Sequence, residues 1–255
     1  AADAENVGEV LARRYGDAFE KTVLFVTMAR EAGVEASLVL IAGRDRGEVG
    51  QNAPDLSLFD TFAAAVKNGG EWTWYDPGAE RIPFGMVSAL SEGIHPNALV
   101  ITSRDSRSRG GKLPVSERST TVRPQHLLHT VPVSPSSRNL LTREATVTID
   151  ADLSGTVEVT ESGTGHAAVA HHLRYAKRSP DERTRSLVAD LHAGMPAAEL
   201  LSVAFTDVDE IEKPLTIRFQ IRSPSLASAA AGLILLPGSI FDQGRLNPFA
   251  AVKRT

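Results

Sequence analysis

The fold is decided by the segment YGDAFEKTVLFVTMAREAG, residues 15–33, because it carries the signals of a helix start, body and end. Asp17 is a favourable N-cap, and Glu20 stands three residues later, where the second member of a capping box lies. The stretch from Val23 to Ala29 is mostly apolar, and Gly33 follows as a residue free to turn left-handed. We expect a helix between Asp17 and Gly33 that is central to a core, because its body is so apolar.

Short apolar segments after this helix predict a small antiparallel sheet. Residues 35–42 (EASLVLIA) are apolar and β-branched, which favours a buried strand. The segments 58–66 and 71–75 flank Lys67-Asn68-Gly69-Gly70, a strong turn signal. We expect these two segments to form an antiparallel hairpin.

The helix and its flanks carry a resemblance to a known family. GDAFEK at 16–21, the apolar helix and EAGVEA at 31–36 resemble the core of bacterial transglutaminase-like proteins, where Gly-Asp-Cys-x-(Asp/Glu)-Lys precedes a helix and a strand. The resemblance implies that the family's nucleophilic Cys corresponds to Ala18. A thiol there would be activated by the helix N-terminus and by a paired His, whereas alanine has no nucleophilic atom.

The later strands extend this resemblance. Phe59-Asp60-Thr61 corresponds to the family's Phe-Asp-His, whose His is the general base, and Trp74-Tyr75-Asp76-Pro77 corresponds to Trp-x-Asp-Pro, whose Asp orients that His. The triad positions therefore have Ala18, Thr61 and Asp76 in place of Cys, His and Asp. The resemblance implies an α+β core, in which a central helix packs on an antiparallel sheet that closes with a strand at 97–101, without Cys-dependent activity.

The rest of the chain predicts a second domain. We place the transglutaminase-like core at 1–103, a basic Ser/Gly/Pro-rich linker or extended wrap at 104–137, and a β-rich domain with a helical excursion at 138–255. In this domain we expect strands at 139–150, 156–160, 198–209 and 215–222, and helices at 166–175 and 181–193. Because relatives usually carry a β-rich region before this core and more sequence after it, the resemblance implies a piece of a larger protein, truncated in the β-rich domain.

Composition narrows the classes of partner. The 255 residues have a formal net charge of −4, which argues against nucleic acid or an anionic membrane as the main partner. The longest apolar run, 227–241, is interrupted by Gly and Pro, so no transmembrane segment is predicted. The chain has no cysteine, which excludes disulfides, thiolate metal sites and thiol catalysis. We predict no cofactor, and the oligomeric state does not follow from the sequence.

One motif suggests a cation site. Asp150, Asp152, Ser154, Gly155 and Glu161 fit the calcium-loop formula D-x-D-x-S-G-x5-E. That loop needs a helix on each side to direct its ligands, whereas both flanks here alternate with period two. The sequence therefore favours the acidic turn of a hairpin, with a calcium site as the minor alternative.

The predicted function is the binding of a protein or peptide partner. Trp72 and Trp74 are two residues apart in a strand and so share a face, where they either cover the core or line an aromatic groove with Asp76. The favoured function is an inactive binding or scaffolding module of a larger bacterial protein, and the resemblance implies a periplasmic or cell-surface location. One alternative is an active acyl transferase or cysteine peptidase whose nucleophile has been replaced by Ala18. The other is a calcium-dependent adhesion module.

Overall fold

Helices and antiparallel sheets are combined in both halves of the chain. The computed structural model describes residues 7–50, 55–101 and 128–240. Within these ranges it has the mixed α+β architecture that the sequence predicts, with four α-helices. The chain divides into two units, residues 1–135 and 136–255. In the described part, no helix is both long and apolar enough to cross a membrane.

The first unit is built from two helices and five strands. The helices are α1 (Val7–Arg13) and α2 (Ala18–Glu31). The strands are β1 (Ala36–Ile41), β2 (Thr61–Asn68), β3 (Glu71–Tyr75), β4 (Ala98–Ile101) and β5 (Leu128–His129). They form one sheet in the order β3-β2-β1-β4-β5, and every neighbouring pair is antiparallel.

Helix α2 begins and ends where its sequence signals predict. The Asp17 carboxylate accepts the Glu20 backbone N–H at 2.8 Å, and the Glu20 carboxylate accepts the Asp17 N–H at 2.9 Å, which completes the capping box. At the other end, Gly33 adopts φ +80°, the left-handed conformation expected after a helix. The local prediction for this helix is confirmed.

The predicted central position of α2 is wrong. The helix packs on one face of the sheet, where Val26 meets Ala36 and Ala64. Within α2 only Thr22 and Val26 are buried, and Met28 remains 58% exposed. The reason is that its apolar residues are consecutive and therefore point all round the helix axis, whereas a single sheet face covers only one side.

The hairpin predicted around the Lys-Asn-Gly-Gly turn is confirmed, although both ends of its first strand are shifted: it runs from Thr61 to Asn68 instead of 58–66. Asn68 pairs with Glu71, and Gly69 and Gly70 both have positive φ, +60° and +96°, as a two-residue type I′ turn requires. The first strand begins at Thr61 rather than near Leu58. The residues before it form a short 3-10 turn, Leu56–Leu58, that the Asp55 side chain caps.

The second unit is a four-stranded sheet with two helices between its second and third strands in sequence. Its elements are β6 (Leu141–Ile149), β7 (Gly155–Gly163), α3 (His166–Tyr175), α4 (Pro180–Gly194), β8 (Glu199–Thr206) and β9 (Thr216–Ser223). The strand order is β6-β7-β9-β8, all antiparallel. A separate hairpin follows, β10 (Ser228–Ala230) with β11 (Leu233–Leu235). The strands and helices predicted for this region are all present.

The core of the second unit lies between the sheet and its helices. Alternate residues of β7 and β9, such as Val157 and Ile221, pack with Leu187 and Leu191 of α4. Ser179 and Glu182 form the capping box of α4, with Pro180 in its first turn. Most of the predicted linker falls in 102–127, outside the described residues. The end of this segment is described, and there β5 pairs with β4 in the first sheet.

Candidate functional site

Position 18 lies directly against the loop that follows β3. Ala18 is the first residue of α2 and is exposed to solvent. A Cβ atom built at Gly78 would lie 2.6 Å from the Ala18 Cβ and 2.8 Å from its Cα, closer than real atoms approach. The helix start and this loop can therefore meet only because residue 78 has no side chain.

Position 61 lies at the start of β2, the strand that pairs with β3. Thr61 opens β2 opposite Ile41 of β1, and its hydroxyl donates to the Asp60 carboxylate at 3.2 Å. The next residue, Phe62, packs its ring edge-on against Phe19, with centroids 4.9 Å apart. Since Phe19 follows Ala18, this aromatic contact holds the start of β2 beside the start of α2.

Position 76 supplies a half-buried carboxylate at the end of β3. The Asp76 carboxylate accepts the backbone N–H of Ala79 at 2.9 Å and further backbone hydrogen bonds from Ser88 and Gly78. Burial raises the pKa of the Asp76 carboxyl above its ordinary value, although these hydrogen bonds oppose the change. In this structure the carboxylate organises the turn that brings Gly78 to Ala18.

The loop at Gly78 connects the start of α2 with Asp76. Thr61 precedes Phe62, which contacts α2, so the Thr61 side chain lies on the opposite sheet face, with Ala63. The three side chains form no catalytic set. Position 18 offers a methyl group, the Thr61 hydroxyl is directed to Asp60, and Asp76 bonds to backbone N–H groups. Nucleophilic catalysis needs a nucleophile within hydrogen-bond reach of a base. Ala18, Thr61 and Asp76 do not provide that pair.

A pocket of about 200 Å³ opens beside Asp76, next to α2. Its aromatic lining comes from Phe25 of α2, Tyr75 of β3 and Phe84 of the following loop. The Tyr75 ring lies 5.4 Å from that of Phe25 and 4.7 Å from that of Phe84, measured between centroids. Asp76 and Met86 also contribute to the wall. The result is a small apolar pocket with one acidic residue, Asp76, in its lining.

The two tryptophans lie on the other side of the sheet. Trp74 is buried with Val39 and Ile41, and Trp72 packs against the same cluster. Both indole rings approach the His129 ring, at 6.1 and 6.4 Å between centroids. Because Tyr75 packs on the α2 side and neighbouring strand residues point to opposite faces, Trp72 and Trp74 face away from the pocket. The structure does not bring them together with Asp76 into one groove.

The acidic motif of the second unit is a hairpin turn between β6 and β7. The Ser154 hydroxyl donates to the Asp152 carboxylate at 2.7 Å, and the Asp150 N–H donates to the Ser154 carbonyl at 2.8 Å. Glu161 pairs with Arg143 six residues along the strand from this turn, a separation of about 20 Å. Among the described residues, no group of three or more His, Asp or Glu side chains could hold a metal ion. The residues of the calcium formula are thus not brought together.

Glu161 instead belongs to a charged cluster that the sequence did not indicate. Its carboxylate accepts from Arg143 Nε at 2.8 Å and lies 3.2 Å from His171 Nε2. The three side chains are only 11–12% exposed. Burial alone would raise the pKa of the Glu161 carboxyl, but the His171 hydrogen bond and the Arg143 charge outweigh it and lower this pKa.

The pocket was also missed at the sequence level. Phe25 has the spacing of a core residue, and Phe84 lies in a loop with no periodic pattern. Only the pairing of β3 with β2, together with the packing of α2, brings these rings to Tyr75. The sequence Pro83-Phe84-Gly85, an aromatic residue between two turn-forming residues, was the one local signal that could have drawn attention to this loop.

Comparison with known proteins gives no independent identification. No protein-family model matches the sequence, and no curated protein matches it.

Proposed function

We propose that this chain is a catalytically inactive transglutaminase-like protein whose first unit binds a peptide segment of a partner protein. The observation that carries the proposal is the contact of Ala18, at the start of α2, with Gly78, two residues after Asp76. Of the positions that correspond by resemblance to the family's triad, Ala18 and Thr61 lack the chemistry of a nucleophile and a base.

The neighbouring pocket supports binding as the remaining role. Ligand sites are concave, mostly apolar and supplied with a few polar groups that fix orientation. The pocket between Phe25 and Phe84 has this character, and Phe84 is 73% exposed at its rim. Its volume of about 200 Å³ is smaller than the roughly 300–1,000 Å³ of sites for drug-sized ligands. It therefore suits one side chain of a peptide better than a whole small molecule.

The proposal is tested by selecting a random peptide library on the intact chain and measuring the affinity of the enriched sequences by calorimetry. We expect peptides with dissociation constants of about 1–100 μM, corresponding to roughly −8 to −5.5 kcal/mol. Their binding should weaken on Phe84→Ala, which truncates an exposed ring at the pocket rim.

Tyr15→Ala is the matched control, because Tyr15 is an aromatic residue of similar exposure, 64%, that does not line the pocket. Binding that is lost on Phe84→Ala and kept on Tyr15→Ala supports the proposal. No enriched peptide, or peptides that respond equally to both substitutions, would contradict it.

A further inference from the structure

The residues that line the aromatic pocket indicate which kind of chemical group it would bind. Three rings, those of Phe25, Tyr75 and Phe84, are arranged consecutively with centroids about 5 Å apart, and Met86 adds a polarizable thioether. Ring faces carry negative quadrupole potential and attract cations, with an advantage that grows as the cation loses water. An uncharged occupant would use only the apolar area of these walls.

An acidic residue, Asp76, lines the same pocket. Of the described residues that line the pocket, Asp76 is the only charged one, since Glu80 and Arg81 of the adjoining loop do not contribute to it. The Asp76 carboxylate is half-buried, so its negative charge is incompletely solvated. A cation in the pocket would both compensate this charge and meet the aromatic faces.

The hydrogen bonds of Asp76 distinguish between the two basic side chains. One carboxylate oxygen already accepts the Ala79 N–H at 2.9 Å, and Ser88 and Gly78 bond to the same group through their backbones. A guanidinium achieves its advantage by bonding both carboxylate oxygens at once, whereas an ammonium is a compact point charge that needs one lone pair. The aliphatic part of a lysine side chain also suits the apolar walls formed by Ile82 and Pro83.

We propose that this pocket holds the side chain of a lysine residue from the bound peptide, with its ammonium group against Asp76 and the rings of Phe25, Tyr75 and Phe84. The inference rests on the proposed peptide-binding function and names the side chain that the site selects. Its occupant is thus a basic segment of a partner protein, complementary to the net charge of −4 on this chain.

The side-chain preference is tested separately from peptide binding, with n-butylammonium as the probe. The intact chain is titrated and followed by the amide NMR signals of Phe25, Phe84 and Met86. n-Butanol serves as the uncharged analogue of the same length, and n-butylguanidinium as the arginine analogue. We expect saturable shifts with n-butylammonium and at least tenfold weaker binding of the other two probes.

Two variants show where the selectivity arises. Phe84→Leu keeps an apolar side chain at the rim but removes the ring, and should weaken n-butylammonium binding by about 3- to 30-fold. Asp76→Asn retains an acceptor for the Ala79 N–H and should weaken n-butylammonium binding more than n-butanol binding. Tyr15→Leu, outside the pocket, should change neither. The thermal midpoint of each variant verifies that it is folded.

The possible results separate this inference from the proposed function. Equal affinity for n-butylammonium and n-butanol, preference for n-butylguanidinium, or insensitivity to Phe84→Leu would overturn the lysine assignment. Selected peptides that bind through Phe84 without a basic residue would also overturn it, while leaving peptide binding intact. Selective n-butylammonium binding without any selected peptide would support the pocket chemistry and contradict the proposed function.

Discussion

Gly78 is the residue on which the candidate site depends most directly. Its backbone conformation is not left-handed, so the need for glycine comes from space alone. A side chain at this position meets the Cβ, Cα and carbonyl oxygen of Ala18, which belong to the first turn of a capped helix and cannot move independently. The approach of the loop to the helix is therefore encoded by two small residues, Ala18 and Gly78.

Gly78→Ala should lower the free energy of unfolding by about 1–3 kcal/mol, because the new methyl group overlaps Ala18. Urea denaturation measures the change. Gly238→Ala is the matched control, because a Cβ there meets no atom within 4 Å and its φ is not left-handed.

Combining Gly78→Ala with Ala18→Gly should recover part of the loss, since the second change removes the Cβ that is 2.6 Å away. A double-mutant cycle gives this coupling energy. Independent, additive effects of the two substitutions would show that residues 18 and 78 are not in contact.

Asp76 gives the site a characteristic pH dependence. Because its pKa is raised in the folded state by burial, its contribution to stability is fully present below the unfolded pKa and is lost as pH rises through the folded value. Asp76→Asn should remove this loss. The free energy of unfolding of the variant, minus that of the native protein, should therefore increase as pH rises from about 4 to about 7. Urea denaturation of both proteins across this range measures the difference. An advantage that grows as the pH falls would contradict the burial of this carboxylate.

Short-range sequence signals determined the elements well. The capping box of Asp17 and Glu20, the Gly69-Gly70 turn and the Ser179-Pro180 helix start each act within a few residues, so the sequence predicts them directly. The placement of α2 and the assembly of the pocket depend on contacts between distant residues. Phe25 and Phe84 are 59 positions apart, and nothing local in either sequence indicates the other.

The strands of the second unit are held together by charge as well as by an apolar core. Glu161 of β7 connects Arg143 of β6 with His171 of α3, and its side chain is only 11% exposed. Glu161→Gln should lower the free energy of unfolding at pH 7 by about 1.5–3 kcal/mol, because the Arg143 guanidinium would lose its charged acceptor. Urea denaturation at pH 7 measures this loss.

Glu161→Gln should also change the pH dependence of the free energy of unfolding, in the direction opposite to Asp76→Asn. The folded-state pKa of Glu161 is lowered, so its stabilisation is present above the unfolded pKa and is lost as pH falls through the folded value. Glu161→Gln should make the acid loss of stability shallower below about pH 5. Glu158→Gln, on the same strand but exposed, is the control. An unchanged pH profile for Glu161→Gln would contradict the cluster.

At the scale of the whole molecule, the first unit combines two properties at the start of α2. Ala18 contacts Gly78 of the loop that follows Asp76, and the pocket that Asp76 lines offers aromatic rings instead of a nucleophile. Such a site can recognise a chemical group without transforming it. The sequence predicts roles for positions 18, 61 and 76, and these stay predictions. It could not show the pocket, which needs the folded arrangement of α2 and β3.

The absence of cysteine from all 255 residues makes the central claim directly measurable, because a cysteine introduced at position 18 is the only thiol in the chain. The measurement is the rate at which Ala18→Cys transfers or hydrolyses an amide substrate at neutral pH, with iodoacetamide labelling as proof that the thiol is accessible. We predict labelling without turnover above background, since Thr61 cannot act as a base, and a gain only when Thr61→His is added. Turnover by Ala18→Cys alone would contradict an inactive binding site and indicate an enzyme in which only the nucleophilic cysteine is missing.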